Sequence, residues 1–537
     1  MCRKIISVIL SAVLLFSILP LTAFSDGDKV IRGTFRYSSG HDDYLVHDFE
    51  SYFEYSDSYF NDSAYVYRHD LASASLALAG SAFSSMKSKT HEQHIQNFVS
   101  FVKQCGFSDI SANEWYGKTP EFKSIGVACA NKKITAGHRD YTLIAVGIRG
   151  ANYLREWGGS GVLGAEGEHE GFAAARDKAI AYVKQYIKDT GIKGAVKLWI
   201  SGYSRGGAVA NMTAAGFDDN CSLPGKASLK PEDIYCYTFE APRTAMESDA
   251  DSAVYDNIHN IINPNDMITY IPFGCWGFVR YGVDHCLPTR GDTDYDALKA
   301  GMLEEFVKIP NNGGSYMVDD FRYIGCGNED MTQEQFYALL SEALATDFAS
   351  SRQDYADNMQ SDLTEILAII PNIRDYEYAP VFALLLEKLQ SSSDKLLDAT
   401  KLPDKLAVLR VASILEKVCF DTLNESGITV FTPSSLRETI ARLAPRVVNF
   451  AVKHPDLAAT LLANFTVITS AHYTELEIAW MHTLPDERLA ASTDRGTVSI
   501  PQQFDFMSAV FDIPQRIFSL FAALSRSLPV LRSIIKC

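Results

Sequence analysis

Cysteine is scarce and unpatterned in this sequence. Ten occur in 537 residues, and no Cys-x-x-Cys pair is among them. That density is far below a disulfide-scaffolded protein, and the missing pairs argue against a zinc site built on thiolates. Positive charge is also in deficit, with 49 Lys and Arg against 66 Asp and Glu and a net charge of −17. No general cationic field is available to hold phosphates, so a nucleic-acid partner is not expected. No internal repeat is apparent, and after residue 25 no apolar run reaches the length of a membrane span. What is there is ordinary globular composition, 47% hydrophobic and 21% charged. The length allows two or three domains, or one large domain with an insertion.

Residues 1–25 form a separate object. Arg3 and Lys4 precede an almost wholly apolar run from Ile5 to Leu19, and Ala23-Phe24-Ser25 offers small residues at the two positions a signal peptidase reads. A secretory signal peptide cleaved after Ser25 is expected, with an uncleaved anchor as the alternative. Cys2 precedes the apolar run, so it is not a lipidation cysteine of the bacterial kind. Secretion would leave nine cysteines, an odd number, of which Cys275 and Cys286 are close enough in sequence to bridge.

Residues 26–90 read as a leader packing on the core, irregular over 26–75 and helical from Leu71 to Met86. His91 to Cys105 reads as an amphipathic surface helix. His91 and His94 sit one turn apart on it, but no third metal ligand is evident nearby. From 91 to 300 strands and helices alternate. The strands are Ser124–Ile134 and Tyr141–Ile148 as a hairpin, then Ala195–Ser201, Pro231–Thr238 and Asn257–Ile262; the chief helix is Glu168–Asp189. This alternation predicts a mostly parallel sheet wrapped by helices. Residues 301–465 are helical almost throughout, an inserted subdomain, and 466–537 return to the core.

At the centre of the alternating region lies Gly202-Tyr203-Ser204-Arg205-Gly206, between the predicted strand 195–201 and a small-residue helix. Gly-x-Ser-x-Gly at such a junction is the pattern of a nucleophile elbow. The serine takes a strained backbone position, and Gly202 and Gly206 leave room for strand and helix to pack closely. A serine hydroxyl needs a base to take its proton and an acid to orient that base. Asp266 follows a strand, in Asn263-Pro264-Asn265-Asp266, and is the candidate acid. Four histidines follow it: His285, His454, His472 and His482. His472, where the chain could return from the insertion, is the preferred base, and His285 is the runner-up. An oxyanion hole needs two backbone N–H groups. Arg205 supplies one, and the other should come from a loop after an earlier strand, a place that Gly150-Ala151 after the strand 141–148 fits.

These segments carry a resemblance. Arg149-Gly150-Ala151 with Trp157, His169-Glu170-Gly171-Phe172, Gly202-Tyr203-Ser204-Arg205-Gly206-Gly207, Phe239-Glu240-Ala241-Pro242-Arg243 and Asn263-Pro264-Asn265-Asp266 through Pro272 occur in this order. Together they resemble the class 3 (fungal-type) lipases of the α/β-hydrolase fold, over about residues 120 to 290 and again near His472. The resemblance implies an α/β-hydrolase core with Ser204 as nucleophile, Asp266 as acid, and the Ala151 and Arg205 backbone as oxyanion donors. The departures are specific. The family's Gly-His-Ser-Leu is Gly-Tyr-Ser-Arg here, and the hydroxyl residue of its oxyanion loop is Ala151; its Gly-x-Pro-Arg segment is matched by Phe239-Glu240-Ala241-Pro242-Arg243. The family histidine follows the acid by some tens of residues, whereas here a helical block intervenes.

The expectation is therefore an α/β-hydrolase fold with a large inserted helical subdomain, acting as a secreted, lipase-like serine hydrolase on carboxylic esters. The partner implied is a lipid or other ester, with no cofactor and no metal. The alternatives are a non-catalytic secreted binding protein on the same scaffold, and an esterase or phospholipase with a different ester substrate. The helical block is either a lid over the serine or a bundle that stabilises the core. The tail from Ile513 to Cys537 carries Arg516, Arg526, Arg532 and Lys536 among apolar residues and no acid. A basic amphipathic helix of this kind lies on an anionic lipid surface or packs on its own domain.

Overall fold

The structure is a computed structural model. It describes residues 29–37, 49–83, 90–116, 121, 123–151, 154–309, 321–325, 331–367, 378–428, 433–491 and 493–494. These belong to a unit spanning Met1–Gly496. The expected signal peptide and the tail from 513 to 537 lie outside the described residues.

The N-terminal strands β1 (Ile31–Tyr37) and β2 (Phe49–Tyr55) pair antiparallel, Ile31 opposite Tyr55 and Tyr37 opposite Phe49. This corrects the irregular leader expected for 26–75. Phe49, Ser51, Phe53 and Tyr55 are buried while the residues between them are exposed. Alternation of this kind is a strand signal that outweighs the Ser and Asp content. The helix α1 (His69–Ser81) follows. The helix expected over 91–105 is broken into His91–His94 and Gln96–Gln104. Its surface reading is corrected at His94, which is buried. Burial, helped by the nearby Arg149 charge, pulls the His94 pKa down to about 4.

The core is a nine-stranded sheet. Its strands include β3 (Ser108–Ala112), β4 (Val127–Ala136), β5 (Arg139–Ile148), β6 (Gly194–Tyr203), β7 (Ile234–Phe239), β8 (Ile258–Ile262), β9 (Val283–Cys286) and β10 (Thr493–Asp494). They lie in the order β10-β9-β8-β7-β6-β5-β4-β3, with Ala227–Ser228 paired beside β6. β5 through β9 run parallel to one another. The two edges, β3/β4/β5 and β9/β10, are antiparallel. The strand expected to start at Pro231 starts at Ile234, because Pro231–Asp233 forms a turn of 3-10 helix ahead of it.

β6 is buried from Val196 to Tyr203 because helices cover both faces. Its side chains divide accordingly. Trp199 and Tyr203 join the cluster that holds Leu71, Leu76 and Leu78 of α1. Leu198 and Ile200 join Phe172, Ala179 and Val183 of α2 (Glu170–Asp189) and Ala208, Val209 and Met212 of α3 (Arg205–Asp219). Ser75 of α1 ties that face down, with Trp199 Nε1–H donating to its Oγ at 2.7 Å and Ser201 Oγ–H donating to its carbonyl at 2.8 Å. This is an α/β-hydrolase fold.

The described residues between 331 and 463 are largely helical, as expected. The long helices α4 (Asp404–Glu425) and α5 (Pro433–Lys453) share a core of Val411, Ile414, Val418, Ala444 and Val448. Arg352 reaches from this part to the loop after residue 160, donating through Nε to Gly164 O at 3.0 Å and through Nη2 to Leu163 O at 2.9 Å. Tyr355 Oη–H donates to Gly161 O at 2.7 Å. The chain then returns through α6 (Thr474–Thr483), whose Leu476, Ile478 and Trp480 join the α1-side core. Among the described residues no helix is long and apolar enough to cross a membrane. Cys275 and Cys286 are both free, so the bridge considered between them is not formed.

Candidate active site

The turn from β6 into α3 places Ser204. Its φ of 56° and ψ of −127° lie outside the regions an L-residue favours, and such strain persists only where surroundings over-determine it. The surroundings do so here. Ser204 N–H donates to Phe239 O at 2.8 Å, and Ser204 O accepts from Ala208 N–H at 3.0 Å. A Cβ on Gly202 would stand 2.3 Å from Gly206 O, and one on Gly206 would stand 2.4 Å from Ile148 O and 2.8 Å from Gly150 N. Only glycines permit this closeness. The contact with Gly150 N also shows that the loop carrying Ala151 packs directly on the elbow.

That loop is anchored from within. The Arg149 side chain is fully buried and paired with Glu156, and its Nη1–H donates to Tyr116 O at 3.1 Å. Arg205 is buried beside this pair, and its Nη2–H donates to Ser124 O at 2.7 Å. Burial, with the Arg149 charge adding to it and Glu156 opposing, lowers the Arg205 pKa to about 10. The side chains of Arg149 and Arg205 are therefore structural, and what the loop and the turn offer a ligand is backbone. Ala151 itself is buried.

Asp266 follows β8. Its Oδ1 accepts from Ile268 N–H at 2.9 Å, and its Oδ2 lies 2.5 Å from His472 Nδ1. His472 Nε2 lies 2.8 Å from Ser204 Oγ. With Nδ1–H donating to the carboxylate, Nε2 carries the lone pair and accepts the serine O–H. Two further bonds fix the histidine loop. Asn263 Nδ2–H donates to Ala471 O at 3.1 Å, and Tyr203 Oη–H donates to His472 O at 3.2 Å. The acid's own loop thus holds the base's loop. This arrangement can draw a proton from Ser204 and stabilise the imidazolium that results.

The structure brings Ser204, Asp266 and His472 together and keeps His285 apart. His285 lies in β9, buried, with Nε2 3.0 Å from His259 Nδ1 and Nδ1 2.8 Å from Leu489 O. His169 caps α2, accepting Phe172 N–H at Nδ1 and donating from Nε2 to Ser160 O, and burial keeps it neutral with a pKa lowered to about 3. Reading the sequence missed Glu240 and Glu477. Both are buried, and both have pKa values raised above the usual carboxylate range, chiefly by burial and, for each, by the nearby Asp266 charge. The signal for Glu240 was the departure from Gly-x-Pro-Arg; for Glu477 it was an acid inside the apolar stretch after His472. Glu240, Asp266 and His472 each present an atom within 4.8 Å of the others, as a metal site would. Here, however, both His472 nitrogens are engaged by Asp266 and Ser204.

Residues 160–275, from the loop before α2 past Asp266, match the family model described as Lipase (class 3). This segment is similar to the class 3 lipases, and the family resemblance expected from the motifs is thereby borne out; the match supports a lipase-type hydrolase. No curated protein matches the sequence. Among solved structures, the native propeptide complex of Rhizomucor miehei lipase is 18% identical, with 41% of this chain and 67% of that one covered and a TM-score of 0.27. The lipase of Rhizopus microsporus var. chinensis is 12% identical, over 41% and 74%, at a TM-score of 0.26. A triacylglycerol lipase structure described by its serine protease triad is 18% identical, over 36% and 71%, at 0.26.

Proposed function

We propose that this chain is a secreted serine hydrolase that cleaves carboxylic esters of lipids through an acyl-enzyme. The observation that carries the reading is the hydrogen-bonded chain from Ser204 Oγ through His472 to Asp266, with Ser204 at positive φ in a glycine-walled turn. In the first half-reaction His472 Nε2 takes the Ser204 proton as Oγ attacks the ester carbonyl. The charge that develops on the carbonyl oxygen is met by the Ala151 and Arg205 backbone N–H groups. His472 then returns the proton to the departing alcohol, leaving an acyl-serine. In the second half-reaction His472 takes a proton from water, hydroxide adds to the acyl carbon, and the carboxylic acid leaves as Ser204 regains its proton. Asp266 stays ionised and stabilises the imidazolium.

Export is supported by the basic, apolar and small-residue pattern of residues 1–25. We read the helical part as the cover of the acyl side, a reading supported by Arg352 and Tyr355 gripping the 161–164 loop. The test is labelling of the purified protein with a fluorophosphonate probe, followed by turnover of p-nitrophenyl esters of graded chain length. Labelling of the native chain and none of Ser204→Ala is expected. Labelling of neither would leave a binding protein on a hydrolase scaffold, and equal labelling of both would overturn Ser204 as the nucleophile.

A further inference from the structure

Asp266 is not the only carboxyl group beside His472. Glu240 follows β7 with φ of 48° and no exposed surface. Its Oε1 and Oε2 accept the Asn263 N–H at 3.0 and 3.2 Å. The same side chain presents an oxygen within 4.8 Å of Asp266 and of His472, and the Glu477 charge acts on it. Glu477, on the first turn of α6 and 1% exposed, has two buried oxygens that take no donor among the described residues.

Three neighbouring carboxyl groups, all buried away from water, do not all stay ionised. Like charges at this range and the loss of hydration both favour the protonated form. Asp266 is the one with dedicated donors, Ile268 N–H and His472 Nδ1–H, so it keeps its charge. The proton belongs to the other two. A bare carboxylate at Glu477 would have no N–H to face. A protonated carboxyl there, or at Glu240, provides the O–H that the cluster lacks.

We propose that Glu240 and Glu477 hold a proton between them and act as positioning residues for Asp266. The protonated carboxyl of Glu240 donates to the Asp266 carboxylate and keeps it turned to His472 Nδ1, and Glu477 keeps that proton in place. The remaining groups facing the pair fit this. Tyr203 at the end of β6 and Tyr67 ahead of α1 are neighbours whose ionisation is suppressed chiefly by burial and further by the nearby carboxylates. Glu475 adds a further acid on α6, and the Arg280 guanidinium, whose charge Glu240 favours, is already held by Asp284 at 2.6 Å.

A pH dependence follows. As pH rises, the pair loses its proton, Asp266 loses its donor, and an extra negative charge stands beside His472. The activity readout rests on the hydrolase reading above, so two readouts are used. In the first, kcat and KM for a p-nitrophenyl ester are measured across pH for the native chain, Glu477→Gln and Glu477→Leu. The native kcat/KM is expected to fall again on the alkaline side. Glu477→Leu should lower kcat about tenfold with KM changed less than about twofold. Glu477→Gln, which keeps a donor but cannot titrate, should restore most of that kcat near pH 6 and abolish the alkaline fall. Glu240→Gln serves as a second variant should one of the others fail to fold. In the second readout, the His472 ring protons are followed by NMR against pH. Two steps are expected in the native chain and one in Glu477→Gln. Superimposable profiles and ring titrations for native and Glu477→Gln protein would overturn the proposal. Absent fluorophosphonate labelling of Ser204 would instead overturn the hydrolase reading, while the ring titration still decides this one.

Discussion

His472 Nε2 stands 2.8 Å from Ser204 Oγ although 268 positions separate them in the chain. His472 therefore belongs to the turn ahead of α6, after the helical block, and the elbow to the sheet that precedes it. His285, only 19 positions after Asp266, is held in β9 by His259 and Leu489 O. Removing each histidine separates the two roles. His472→Ala should lower ester turnover about ten-thousand-fold or more, with little change in thermal stability. His285→Ala should leave kcat within about threefold and destabilise the fold by about 1–3 kcal/mol through the lost buried bonds. Ester kinetics together with thermal melts of the two variants check this.

Gly202 and Gly206 are expected to tolerate no side chain. An added Cβ at either lies within 2.4 Å of a backbone carbonyl oxygen that cannot swing away. Gly206→Ala should cost about 3 kcal/mol or more, and it should displace the Arg149–Gly150 segment against which it packs. A protein that melts within about 2 °C of the native chain and keeps full esterase activity would contradict the close packing.

Arg149 and Glu156 form a fully buried ion pair at the base of the proposed oxyanion loop. Arg149→Met leaves the Glu156 charge without its partner and should cost about 3–5 kcal/mol. Arg149→Met combined with Glu156→Leu should recover most of that loss, because a buried pair contributes little beyond apolar packing of the same volume. Denaturant melts of the three variants form the cycle that measures it.

Asp218 sits at the end of α3, buried, with Oδ1 accepting Asn257 Nδ2–H at 3.0 Å and Oδ2 taking no donor among the described residues. Burial, opposed by that bond and aided by Asp219, raises its pKa to about 8. The folded state thus holds a proton that the unfolded chain releases near pH 4. Stability is full below that point and declines as pH rises through the window from about 4 to about 8. Asp218→Asn should remove this decline and melt higher than the native chain at about pH 9. Thermal melts of both proteins across this range are the measurement, and parallel curves would contradict it.

Much of the core was legible in the sequence because its signals are local. The apolar run 195–201, the two glycines around Ser204 and the small-residue helix after them all act within a few residues, and the structure extends them only to β6 (Gly194–Tyr203) and α3 (Arg205–Asp219). Asp266 was legible for the same reason, as a carboxylate in the turn after a strand. The β1/β2 hairpin was missed although its alternation was present, because Ser and Asp among the tyrosines resembled a loop.

The sequence by itself determined the elbow, the acid and the alternating α/β order, since each follows from backbone sterics and from hydrophobic period over short spans. Only the tertiary structure brought His472 to Asp266 and Ser204, because a histidine more than 200 residues from its carboxylate becomes a partner only when a second loop is tied down. Here Asn263 and Tyr203 tie it, through Ala471 O and His472 O. It alone also decided that Glu240 and Glu477 meet at Asp266. Carboxyl groups from different parts of the chain repel in water and come together only where folding has removed the solvent and left a proton between them.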